Sequence, residues 1–123
     1  MLKRQSLAGC VALSLALAPL CVSVRAQSVG NPSVRAANVA RMTAERLNGG
    51  LGVYRPAPCM HEQAGGSCLV QTTGEGLLFR FLGGPPGWKQ LDQPPTVETE
   101  ILVSPDGRSV RQVIYNGPPR QPL

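Results

Sequence analysis

The sequence predicts an α+β fold: one N-terminal helix packed on a four-stranded antiparallel meander sheet, loop-rich and closed by one disulfide. Three observations predict it. Residues 31–48 carry apolar side chains at helical spacing between capping signals. Several later segments alternate apolar and polar residues around turn signals. Two cysteines remain once an N-terminal export segment is set aside.

That segment reads as a cleavable signal peptide over residues 1–26. Met1-Leu2-Lys3-Arg4 is a short positive start, Gln5 to Val24 carries no charge, and Val24-Arg25-Ala26 places small residues where a signal peptidase reads. A retained membrane anchor needs about 20 predominantly apolar residues, and Pro19, Ser23 and Arg25 dilute the far end. Leu7-Ala8-Gly9-Cys10 resembles a lipoprotein box, but no apolar stretch precedes it. Lys3-Arg4 matches a twin-arginine signal poorly. The expectation is export by the general secretory route to a periplasmic or other extracytoplasmic space, with the membrane met only through the signal.

Removing residues 1–26 from the 123 leaves 97, with nine Lys and Arg against seven Asp and Glu. The full chain's +5 thus becomes +2, because Lys3, Arg4 and Arg25 leave with the signal. The remaining basic residues are scattered, so the stripe that nucleic-acid binding needs is missing. Gly and Pro make up about a quarter of the mature part, which implies long loops. A chain this short buries only about 60–70% of its unfolded surface, so a covalent staple would add a large share of stability. Cys59 and Cys68 are the pair that can form it, as Cys10 and Cys21 lie in the signal.

The single domain is expected over residues 27–116. Asn31-Pro32 offers an N-cap followed by Pro at the first helical position, and Gly49-Gly50 stops the helix near Asn48. Ala36, Val39, Ala40, Thr43 and Leu47 share its apolar face, with Asn38, Arg41 and Glu45 opposite. Leu51 to Tyr54 reads as a short strand ended by Pro56 and Pro58, and Cys59 to Cys68 as a surface loop. Cys68 to Thr73 and Leu77 to Leu82 flank Thr73-Gly74-Glu75-Gly76 as a hairpin. Val97 to Ser104 and Ser109 to Tyr115 flank Ser104-Pro105-Asp106-Gly107 as a second, with Val113 and Tyr115 on one face. Glu98, Glu100, Arg80 and Arg111 are expected on the water-facing side of the sheet. Residues 117–123 read as a Pro-rich extended, frayed tail.

Catalytic signatures are missing. His61 is the only histidine, and no HExxH, GxSxG or P-loop occurs. Cys59, Met60, His61 and Cys68 supply the donor types that suit copper or zinc, but a thiolate site requires both cysteines reduced, whereas an oxidising compartment favours the bridge. Trp88, the only tryptophan, lies in a Gly/Pro-rich connection beside Lys89. Two readings stand for it: a cap on the core, or an exposed anchor forming a partner surface with Tyr54, Arg55 and the Pro-rich tail.

From Glu100 to Val110 the strand, Pro-Asp-Gly turn and strand resemble the hairpin of PepSY-type envelope domains, which also place a helix before an antiparallel sheet. That resemblance implies binding or inhibition of proteases, by analogy alone. As a whole, the mature chain resembles small exported bacterial proteins, a likeness that carries over no functional residue. The expected function is a non-enzymatic exported binding or structural domain, without a cofactor, that meets a protein or envelope component. Metal binding through Cys59, His61 and Cys68 and a protease-inhibitor-like module are the alternatives.

Overall fold

The computed structural model describes residues 14–19 and 30–120; most of the expected signal peptide and the end of the tail lie outside them. Among the described residues no helix is long and apolar enough to cross a membrane.

Helix α1 runs over Pro32–Leu47. The Asn31 side chain accepts a hydrogen bond from the Ser33 amide at 2.9 Å, satisfying one of the orphan donors of the first turn. At the other end Gly49 takes φ 95°, and the Gly50 amide donates to the Glu45 carbonyl at 2.8 Å. The buried stripe is Ala36, Ala37, Ala40 and Ala44, with Thr43 and Glu45 beside it. It is rotated from the expected face: Leu47 is half exposed, while Glu45 is buried and paired with Arg41 at 2.7 Å. When most candidates for the core face are small, side-chain size gives little direction, and the neighbouring elements set the rotation.

Strand β1 is only Arg55–Pro56, followed by helical turns at Pro58–His61 and Gln63–Cys68. Strands β2 (Leu69–Thr73), β3 (Gly76–Gly84), β4 (Val97–Val103) and β5 (Val110–Gly117) complete one antiparallel sheet. The sheet therefore has five strands, one more than the four expected. Residues 51–53 form a turn, so the expected 51–54 strand is displaced to Arg55–Pro56. β3 is central. One side pairs with β4 from Leu77↔Val103 to Gly83↔Val97. Its other side is divided between β2, ending at Leu69↔Phe79, and β1, at Pro56↔Gly83 and Arg55↔Gly84. A proline has no amide to donate, so Pro56 fits this short edge.

Leu77, Phe79 and Phe81 of β3 and Thr99, Ile101 and Val103 of β4 are buried toward the alanine stripe, where Tyr54, Met60 and Cys68 close the core. β5 pairs with β4 through two irregularities. One falls between Tyr115↔Glu100 and Val113↔Ile101, so Tyr115 and Val113 do not share the face that plain alternation predicts.

The outer face departs from expectation as well. Glu98 and Glu100 are buried rather than water-facing, at 8% and 7% exposure. The tail supplies the cover: residues 118–120 turn back over the sheet, and Arg120 donates to both carboxylates, with Arg80 adding a bond to Glu100 at 3.2 Å. The Arg120 guanidinium also lies 4.1 Å from the Tyr115 ring centre, and the Tyr115 hydroxyl donates to the Pro118 carbonyl. The tail is thus docked at least to Arg120.

Candidate functional site

The site begins at β1. Arg55 pairs with Gly84 of β3, and its side-chain Nε donates to the Leu51 carbonyl at 3.1 Å, which ties the guanidinium to the preceding turn. Its own carbonyl accepts from the Trp88 indole Nε1 at 3.0 Å. That bond joins two segments 33 residues apart and satisfies the one polar atom of the ring.

Trp88 sits in the connection after β3, which is compact rather than loose. The Trp88 amide donates to Pro85, Leu91 to Gly87, Gln93 to Trp88 and Thr96 to Gly83, at 2.8–3.0 Å. Two glycines make room for the packing. A Cβ on Gly83 would run into the Tyr54 ring, and one on Gly84 would lie 2.9 Å from Cγ of Trp88. Lys89 follows, its Nζ 5.7 Å from the indole centre, within cation–π range.

The third wall comes from the cysteine loop. Cys59 and Cys68 form a disulfide with Cα atoms 5.8 Å apart, and Cys68 packs into the core. The turn Pro58–His61 is therefore held against the domain, with Met60 buried beneath it and His61 exposed. Together these segments enclose an open hollow of about 450 Å³. Pro56, Pro58, Pro86 and Trp88 line it, together with Arg55, His61, Lys89 and Gln90. That volume lies in the range of small-ligand sites.

The sequence-predicted residues divide accordingly. Trp88 and Arg55 do meet, at this hollow. The exposed-anchor reading of Trp88 and Tyr54 is corrected: they are 5% and 2% exposed, because the two glycines let the rings sink against the sheet. Tyr54 belongs to the core rather than the lining. Burial pushes its phenol up to about 12; the Thr99 hydroxyl pulls the value back and the Glu45 carboxylate adds to the rise. Cys59 and Cys68 are spent on each other, so the copper or zinc reading loses both thiolates and keeps only His61. Among the described residues no group of three or more His, Cys, Asp or Glu is placed to hold a metal ion.

Sequence reasoning missed that His61 and Lys89 face the same space. The one available signal was the prolines at 56, 58 and 86, which mark two rigid segments but not their convergence. No protein-family model matches the chain, and no curated protein and no solved structure matches it either.

Proposed function

We propose that the mature chain is a non-enzymatic binding module of an oxidising extracytoplasmic compartment, and that it holds a protein or envelope component at the Trp88 hollow. Export begins with the signal peptide over residues 1–26, which the general secretory route reads and removes. The disulfide fits that compartment. The observation that carries the reading is the way the hollow is braced. The Trp88–Arg55 bond fixes one side and the Cys59–Cys68 bridge the other, so the ligand meets walls already in place. Preorganisation of this kind reduces the ordering cost of binding. His61 is the only histidine and the sequence carries no HExxH, GxSxG or P-loop, which favours binding over turnover.

The test is a chemical-shift map of the isotope-labelled mature domain titrated with a library of short peptides and envelope-derived small molecules. Binding should move resonances of residues 55–61 and 86–90 together. Shifts confined to β5, or none with any library member, would sink the hollow as the binding site. Turnover of a library member, lost on His61→Gln, would replace the binding reading with an enzymatic one.

A further inference from the structure

We propose that the hollow selects ligands bearing a carboxylate on an apolar body. The acid is held among Arg55, His61 and Lys89, and the body lies against the exposed prolines Pro58 and Pro86. This rests on the hollow being the binding site and adds the chemistry of what enters it.

Charge distribution carries the argument. No Asp or Glu lines the hollow, while the basic side chains Arg55, His61 and Lys89, all of exposed residues, do. They come from three separate segments: β1, the disulfide loop and the connection between β3 and β4. Their meeting is therefore a product of the fold, not of a local basic run.

Acidic residues that are close in sequence are directed elsewhere. Glu62 follows His61, but its carboxylate packs over Gly66, and Asp92 does not line the hollow. Three other arginines of the domain are paired with carboxylates: Arg41 with Glu45, Arg80 with Glu100, and Arg120 with Glu98 and Glu100. Arg55 and Lys89 join none of the ion pairs among the described residues; their contacts are the Leu51 carbonyl and the indole face. Their positive charge remains uncompensated at the mouth of a concave, partly apolar site, where it favours an anion.

Shape adds the second half of the chemistry. A small inorganic anion would fill only a fraction of about 450 Å³ and leave the proline walls wet. An acid with an apolar body covers them. The indole N–H is already committed to the Arg55 carbonyl and the ring is 5% exposed, so Trp88 shapes the hollow rather than donating to the ligand. Two sources share this chemistry: the C-terminus of a peptide and a free carboxylic acid.

Trp88 is the only tryptophan and lines the hollow, so its fluorescence responds to occupancy. The probes are N-acetyl-Ala-Leu-Phe with a free C-terminal carboxylate, the same peptide as its C-terminal amide, 3-phenylpropanoate and inorganic phosphate. The free-acid peptide or 3-phenylpropanoate should bind about tenfold or more tightly than the amide, as a charge-assisted hydrogen bond is lost without the charge. Affinity should fall several-fold between about 50 mM and about 300 mM NaCl through screening. Arg55→Gln and Lys89→Gln should each weaken it by about three- to tenfold, with circular dichroism unchanged. Preference for the peptide acid identifies a chain terminus as the source; preference for 3-phenylpropanoate identifies a free acid.

Equal affinity for acid and amide overturns the carboxylate inference and leaves the hollow intact as a binding site. Phosphate binding as tightly as either acid overturns it in favour of a general anion site. If neither acid binds the inference fails, and the library shift map separately decides the hollow.

Discussion

The Tyr54 hydroxyl is buried on a ring only 2% exposed, and the nearby Thr99 hydroxyl donates to Asn116 instead, which leaves the phenol without a hydrogen bond of good geometry. An unsatisfied buried hydroxyl costs about 1–3 kcal/mol, whereas the ring contributes packing. Tyr54→Phe keeps the ring and removes the cost, so urea unfolding at pH 7 should show stability unchanged or raised by about 1 kcal/mol. A loss larger than about 1 kcal/mol would reveal a partner for the hydroxyl. The same residue predicts an alkaline effect. Its folded pKa of about 12 exceeds the 10.0 of an ordinary tyrosine, so the unfolded state releases its proton first. Stability is complete below about pH 10 and falls as pH rises toward 12, by at most about 1.4 kcal/mol per pH unit from this group. Tyr54→Phe should lack that part of the decline. Composition identified Tyr54 and Trp88 as the residues to watch, and the Arg55–Trp88 meeting was legible as a grouping. Their burial was not, because it depends on the missing side chains of Gly83 and Gly84, and Gly83 is far in sequence from the Tyr54 ring it admits.

Among the elements, the tail differs most from its sequence reading. Capping residues, alternation and turn chemistry are local signals, and they located α1 and strands β2 to β5 to within a few residues. The Arg120 contacts are not local: 22 residues separate it from Glu98 and 20 from Glu100. In sequence those glutamates look like an ordinary solvated strand face. Burial by itself would raise the Glu100 carboxyl, but the hydrogen bonds and charges of Arg120 and Arg80 outweigh it and hold the value below the ordinary carboxylate range. A depressed folded pKa stabilises the fold above the unfolded value, and that stabilisation is lost as pH falls through the folded one. Arg120→Gln should therefore lower stability at neutral pH and start acid unfolding at a higher pH than in the wild type. A pH titration of the thermal midpoint checks it; coincident curves would mean that the tail contributes nothing to the sheet.

At the scale of the whole molecule, the disulfide links compartment, stability and binding. The core is one cluster that relies on four alanines for the helix side, so its apolar payload is modest for the loops it must hold. Domains of this kind have about 5–15 kcal/mol of total stability. Closing the loop from Cys59 to Cys68, nine residues apart in sequence, removes denatured-state entropy worth about 2.5–3 kcal/mol. Reduction should therefore lower the unfolding free energy by about that amount. Cys59→Ala with Cys68→Ala should lose somewhat more, because Cys68 is also a core side chain. Both treatments should weaken ligand binding at the hollow beyond the loss of stability, since His61 and Pro58 stand on the turn that the bridge braces. Arg55 and Trp88, tied to β3 from the other side, should keep their bond, seen as an unchanged indole N–H resonance. The natively exported protein should begin at Gln27 and weigh two protons less than the reduced chain. A full-mass, reduced product retaining residues 1–26 would remove the compartment argument, and with it the reason for preferring the bridge to free thiols.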